Sequence, residues 1–343
     1  MKSAVSQRAA RVQPSPTLSI TAKIKALQAE GRDILAFGAG EPDFDTPAHI
    51  KQAAKDALDQ GFTKYTPSSG IEPLKKAVCE KLERENGLHY ETKNIIVSVG
   101  GKHSLYNIFM AMIDPEDEVI IPSPYWVSYP EQVKLCDGVP VYVDMPESDD
   151  FKLKASSVEA ALTSKTKALV LNSPSNPTGA VFDPEEIRKI AELAVKHDFW
   201  VISDEIYDRL TYGEKPLSIA SLGPDIYERT LTVNGCSKSY SMTGWRIGYA
   251  AGPVEIVKAM GRLQDQSTSN PTSIAQKAAV AALTGPQDVV EEMRKAFQER
   301  RDVLVTGLNS LPGVRCPNPG GAFYVFPDVS GWYSGDIKGS DAL

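Results

Sequence analysis

Six short and almost uninterrupted apolar runs constrain this chain more than any other feature. They are Ile95–Val99, Glu118–Ile121, Val139–Val143, Ala168–Leu171, Trp200–Ser203 and Thr230–Val233, each four or five residues long. A strand with one wet face alternates apolar and polar residues, whereas a strand covered on both faces reads as a continuous run. Helix-like segments lie between these runs. The clearest is Pro184–His197, where Ile187, Ile190, Ala191 and Ala194 form one stripe. Asp183 is placed to N-cap it, Pro184 suits its first turn, and Glu186 has capping-box spacing. The alternation predicts an α/β domain with a mainly parallel sheet and helices on both faces.

The flanks differ. Ile24–Gly31 reads as the end of a helix, and Gly38-Ala39-Gly40-Glu41-Pro42 as a turn-rich break. Val289–Leu311 is helical again, and the Pro/Gly-rich string from Cys316 to Phe326 reads as a turn leading into a strand. The 343 residues suit two domains: a large one at 46–284 and a smaller α+β one assembled from 1–45 and 285–343.

Several function classes drop out. Lys and Arg total 37 against 44 Asp and Glu, a net charge of −7, which argues against a general nucleic-acid binder. Cys79, Cys136, Cys236 and Cys316 form no C-x-x-C pair, and His49, His89, His103 and His197 show no ligand spacing, so no metal site is expected. No apolar stretch approaches the roughly 18–20 residues that span a bilayer, and no signal-peptide run opens the chain. A soluble, cytoplasmic protein with no membrane partner is expected. Gly38-Ala39-Gly40 lacks the third glycine of a dinucleotide fingerprint, Gly100-Gly101-Lys102 is an incomplete phosphate loop, and there is no G-x-S-x-G elbow.

What remains is a set of polar strings that follow predicted strands. Lys238 comes after the Thr230–Val233 run and an Asn234-Gly235 turn, with Arg246 shortly beyond. A lysine of lowered pKa can condense with an aldehyde cofactor, and an arginine is a planar receptor for phosphate. Asp204 ends the Trp200–Ser203 run, where open α/β sheets place ligand contacts. Asn176 sits between Pro174 and Pro177 in a rigid loop, and Gly101 and Lys102 open a helix whose free N–H groups suit an anion. Trp126, in the segment Pro124–Pro130, offers an aromatic face. Taken singly, each has an ordinary explanation: a surface lysine, a helix-capping acid, a turn, a packing aromatic.

The longer strings carry more. Ser237-Lys238-Ser239-Tyr240-Ser241-Met242-Thr243-Gly244-Trp245-Arg246-Ile247-Gly248 closely resembles the cofactor-lysine motif of class I aminotransferases, which use pyridoxal 5′-phosphate. Asn176-Pro177-Thr178-Gly179 resembles their N-P-T-G loop. These strings keep one order over about residues 14–330, together with Ala39–Pro47 and Lys64-Tyr65-Thr66-Pro67. The whole resembles the prokaryotic-type aspartate aminotransferase subgroup of the type I fold, which implies a seven-stranded, mainly parallel sheet. It implies Lys238 as the lysine that holds the cofactor and shuttles the proton. Asp204 would pair with the ring nitrogen, and Asn176 and Tyr207 would hold the phenolic oxygen. Gly101, Lys102 and Arg246 would lie at the phosphate, with Tyr65 reaching it from the neighbouring subunit of a homodimer. Trp126 would stack on the ring and touch the substrate, and Gly40 and Asn176 would complete the substrate contacts.

The sequence departs from the pattern at two points. Gly235 stands where many relatives carry a hydroxyl residue for the phosphate. The late Arg-x-Ser-Tyr segment that binds the substrate carboxylate in the family does not occur, so a C-terminally shortened chain is expected. The expected reaction moves an amino group between aspartate and 2-oxoglutarate. Alternatives are a lyase or cyclising synthase on the same scaffold, or a chain that binds the cofactor with little turnover. Gln13 takes the place of a basic residue that helps receive a second carboxylate, so aspartate and glutamate are expected over prephenate.

Overall fold

The computed structural model describes residues 4–332 apart from Ala39 and Glu214. All six apolar runs become strands: β1 Ile95–Ser98, β2 Glu118–Ser123, β3 Val139–Asp144, β4 Thr166–Asn172, β5 Trp200–Asp204 and β6 Thr230–Gly235. A seventh, β7 Gly248–Ala251, escapes the sequence pattern because Gly-Tyr-Ala-Ala is too short and small-chained to register as an apolar run. They form one sheet in the order β1-β7-β6-β5-β4-β2-β3. Only β7 among them pairs antiparallel, with β1 on one side and β6 on the other.

Helices cover both faces, as the continuous runs predict. Ile96, Val119, Ile121, Val170, Ile202 and Val233 pack on one side with Leu105, Ile108 and Phe109 of the helix Gly101–Met112. Ile120, Leu169, Leu171 and Val201 face the other way, onto the helices Ala155–Ala161 and Pro184–His197. Ile95 and Val97 meet the helices Glu72–Asn86 and Ser273–Thr284. Each fully buried aliphatic side chain here contributes roughly 1.5–3 kcal/mol before the entropy cost of ordering it. β3, at one edge of the sheet, is the exception, with Val139 and Tyr142 exposed.

The helix Pro184–His197 has its predicted bounds, but not its predicted cap. Asp183 spends its carboxylate on Lys152 at 3.0 Å, and Glu186 accepts from the Ala155 amide at 2.7 Å. No capping box closes. The expected strand after Cys316 is also absent among the described residues. Ala322 has φ of +57°, and its amide donates to the Leu210 carbonyl at 2.7 Å, which takes the chain out of extended geometry. Before it, Gly321 makes an isolated bridge to Thr211 rather than a ladder. The end of the predicted smaller domain, 333–343, lies outside the described residues.

Candidate active site

In a parallel sheet, the loops leaving the carboxyl ends of the strands share one edge. Here they carry most of the predicted site residues. Gly101 and Lys102 follow β1, Trp126 follows β2, Asn176 follows β4, Asp204 ends β5 with Tyr207 beyond, and Lys238 follows β6. Arg246 precedes β7, and because β7 runs the other way its start lies on this same edge.

Asp204 is 5% exposed. Tyr129 Oη donates to its Oδ2 at 2.8 Å, and the Ile206 amide to its Oδ1 at 3.3 Å. Burial lifts its pKa to about 6, against the pull of those two bonds and of Lys238. Asn172 Nδ2 donates to the Asp204 carbonyl at 2.9 Å, while its Oδ1 accepts from the Asn176 amide at 2.8 Å. One side chain therefore ties the β4 and β5 loops together. Asn176 Nδ2 donates to Tyr324 Oη at 3.3 Å, which lies 2.6 Å from Tyr207 Oη. Burial raises both phenols, Tyr207 well above its usual value and Tyr324 to about 12, so both keep their protons near neutrality.

Lys238 Nζ donates to the Gly40 carbonyl at 2.5 Å and lies 5.7 Å from the centre of the Phe323 ring. Burial is the main reason its pKa falls to about 8; Glu41 and Asp204 hold it up, while Arg246 and Lys102 push it down. The free amine is the form that attacks an aldehyde. Capture of pyridoxal phosphate by the cofactor-free protein is therefore expected to speed up about tenfold per pH unit below about 8 and level off above it. Stopped-flow absorbance checks this, and a flat profile from pH 6 to 9 would contradict it.

The anion end is built from backbone and guanidinium. The first N–H groups of the helix Gly101–Met112 have no intrahelical partner and point out of its N-terminus. Arg246 is left-handed at φ +56°, with Nη1 on the Thr243 carbonyl at 2.7 Å and Nη2 on the Val99 carbonyl at 3.3 Å. Gly100 has φ of +90°, and a β-carbon there would collide with the Arg246 guanidinium. Gly100→Ala is thus expected to displace Arg246 and weaken pyridoxal phosphate binding by about tenfold, one charge-assisted hydrogen bond, as read by fluorescence titration. Lys102 Nζ sits 4.9 Å from the Trp126 ring centre, and burial, with Arg246 second, lowers its pKa. Trp126 meets Tyr129 edge-on at 5.3 Å, which joins the stacking residue to the Asp204 partner. The departure at Gly235 also has a physical reason. A β-carbon there would lie 3.0 Å from both the Gly248 Cα and the Ile247 carbonyl, so a side chain would press on β7.

Tyr65 stands apart. It is 91% exposed, and among the described residues no hydrogen bond links it to this edge. Gly40, by contrast, reaches the site through its carbonyl. Sequence reasoning missed three contributors. Tyr129 had a signal, one helical turn after Trp126, and Asn172 stands two residues before the loop that carries Asn176. Tyr324 had none, because its segment reads as a strand. The donor set fits pyridoxal phosphate along its length: an amine of lowered pKa for the aldehyde, a carboxylate for the ring nitrogen, amide and phenol for the phenolic oxygen, helix N-terminus and guanidinium for the phosphate.

Comparison with known proteins agrees. The family described as aminotransferase class I and II matches residues 32–333. An aspartate aminotransferase from Geobacillus stearothermophilus is 53% identical over 326 residues, 95% of this chain and 83% of the relative. An aspartate/prephenate aminotransferase from Cereibacter sphaeroides is 54% identical over 329 residues, 95% of this chain and 82% of the relative. The solved structure of the aspartate aminotransferase from Thermus thermophilus with maleate superposes with a TM-score of 0.93 at 49% identity, over 96% of this chain and 86% of that one. Family match, sequence identity and superposition agree over nearly the same span, and on that footing the chain belongs to the class I and II aminotransferases, enzymes that use pyridoxal 5′-phosphate to act on amino acids and 2-oxo acids.

Proposed function

We propose that this aminotransferase moves the amino group between L-aspartate and 2-oxoglutarate, with Lys238 as its proton shuttle. The observation that carries the assignment is the Lys238 amine, partly buried, lowered to about pKa 8 and held at the edge where Asp204 and Arg246 also act on it. When bound, pyridoxal phosphate supplies an electron sink for charge at the substrate α-carbon and carries the amino group between the two half-reactions. Lys238 Nζ, about a tenth neutral at pH 7 by this value, takes the α-proton and returns it on the other side of the cycle. The Gly40 carbonyl steadies that nitrogen while it is idle. Asp204 sets an anion against the ring nitrogen, oriented by Tyr129 on one oxygen and the Ile206 amide on the other. Tyr207 and Asn176 would donate toward the phenolic oxygen, and Trp126 would stack on the ring. Gly101, Lys102 and Arg246 hold the phosphate.

The preference for aspartate is supported by the names of the relatives at about half identity. We further infer a homodimer in which Tyr65 completes the neighbour's phosphate site. Leu35 at 79%, Phe37 at 83% and Tyr65 at 91% exposure support it, since apolar side chains this bare mark a surface that another chain covers. The division into 46–284 and 1–45 with 285–343 is kept as well. Phe44 meets Phe297 edge-on at 5.4 Å and Asp43 pairs with Arg300 at 2.7 Å, contacts that join the two end segments and support it. A reducing, cytoplasmic setting is in keeping with four unpaired cysteines. Among the described residues no helix is long and apolar enough to cross a membrane.

The test is turnover of the purified, cofactor-loaded chain with L-aspartate and 2-oxoglutarate, followed as oxaloacetate and compared with prephenate as acceptor. Oxaloacetate formation at a rate well above that with prephenate is expected. Fumarate with ammonia, or alanine with carbon dioxide, formed without glutamate would point to a lyase, and equal rates with prephenate would overturn the substrate preference drawn from Gln13.

A further inference from the structure

We infer that Lys81 and Asp208 form the centre of a buried polar clamp that positions the Lys238 turn, a role that rests on the function proposed above. Lys81 lies on the helix Glu72–Asn86 and is 2% exposed. Its Nζ pairs with Asp208 and donates to Asn86 Oδ1 at 3.0 Å, with Glu85 Oε2 3.7 Å away. Asp208 in turn accepts from Asn234 Nδ2 at 2.9 Å, and Asn234 Oδ1 takes the Gly235 amide at 2.7 Å. Gly235 ends β6, so this branch finishes on the backbone entering the lysine turn. A second branch leaves through Glu85, which pairs with Arg209 at 3.0 Å. Arg209 Nη1 donates to Tyr240 Oη at 3.2 Å, just past Lys238. The turn is gripped on both sides of its lysine. A third link, Asn86 Nδ2 to Glu205 Oε2 at 2.8 Å, fixes the residue beside Asp204.

The clamp acts by geometry rather than by field. The charges that act on the Lys238 amine are Glu41, Arg246, Asp204 and Lys102, and none of them belongs to the network. Nor does stability account for it, because a buried ion pair is on average no better than apolar residues of the same volume. Placement does matter: an error of about 1 Å at a reacting group costs up to about a hundredfold in rate. Joining the helix that carries Lys81 to both the lysine turn and the Asp204 strand end sets the distance between the proton carrier and the ring-nitrogen anion.

Two variants test this in the holoenzyme. Asn234→Ala keeps the Lys81–Asp208 pair but cuts its link to the turn. The double variant Lys81→Met with Asp208→Leu replaces the pair by apolar side chains. Both are expected to bind pyridoxal phosphate, to lose about ten- to a hundredfold in kcat for aspartate, and to change KM less than about threefold. The pH midpoint of the bound-cofactor absorbance is expected to move by about half a unit or more, and the unfolding midpoint of the double variant to hold. If Asn234→Ala does not fold, the double variant decides alone. An unchanged kcat and absorbance midpoint in the folded double variant would overturn the proposal, as would failure of both variants to fold, which would assign the network to stability. Absence of transamination in the parent chain refutes the proposed function instead, and the absorbance midpoint still tests the clamp.

Discussion

Lys238→Ala is expected to lose about ten-thousandfold in turnover with aspartate while keeping its fold. Positioned proton transfer alone is worth about a hundred- to ten-thousandfold, and this amine also fixes the cofactor, which places the loss at the upper end. Stability is expected to move the other way. The folded pKa of about 8 lies below the ordinary lysine value of 10.5, so burial penalises the charged form. That penalty is complete at pH below about 8 and fades as pH rises from there toward 10.5; at pH 7 it is on the order of 3 kcal/mol before any packing loss. The cofactor-free alanine variant should therefore unfold no earlier than the parent at pH 7. Turnover at saturating aspartate and thermal unfolding, measured side by side, check both halves. Residual turnover within tenfold of the parent would remove Lys238 from the mechanism.

Asp204→Asn carries the second largest expected effect. Without an anion opposite the ring nitrogen the cofactor is a poorer electron sink, and a loss of about a thousandfold in kcat is expected, comparable to removal of a preorganised electrostatic partner. Tyr129 can still donate to the amide oxygen, so binding of the cofactor should suffer much less than kcat. The fold again responds in the opposite sense. Burial raises the Asp204 pKa from 3.8 to about 6, so the folded chain favours the protonated acid. That advantage is complete at pH below about 4 and lost as pH rises through about 6, leaving a buried carboxylate that costs on the order of 3 kcal/mol above it. The neutral amide escapes that cost. The cofactor-free variant is expected to be more stable than the parent at pH 8 and to lose the advantage at pH 4. Equal stability at both values would show that this carboxyl is not desolvated as described. Both substitutions show one principle: the groups that make the site reactive are those the fold holds at a loss.

Most of the sheet was legible because five of the strands read from the sequence, all but β3, are covered on both faces and advertise that burial as uninterrupted apolar runs. β7 was not, since Ala250 and Ala251 are small and Gly248 has no room for a side chain: a β-carbon there would collide with the Gly101 amide. Close approach of backbones leaves no hydrophobic signal. The capping box failed for a different reason. Asp183 and Glu186 have the right spacing, but Lys152 and the Ala155 amide, brought in by the fold, compete for them. At the site, residues in strand-end strings were readable because the parallel sheet puts strand ends on one edge. Tyr324 arrives from a segment without a strand or helix, and only the tertiary structure brings its hydroxyl to Tyr207. The Lys81–Asp208 pair was equally silent, as a lysine on a helix reads as a solvated charge until its surroundings are known.

The direction of β7 has a consequence for how the site tolerates change. The chain leaves the sheet edge after β6 and returns to it before β7, so Lys238 and Arg246 ride on a single excursion, 236–247. The aldehyde end and the phosphate end of the cofactor are thus gauged by one ruler. An extra residue in that excursion alters the ruler itself and puts both ends out of register. An extra residue in the loop after β4 moves one contact and leaves the other two fixed. Length variation should be far more harmful in 236–247 than in any other loop along this edge.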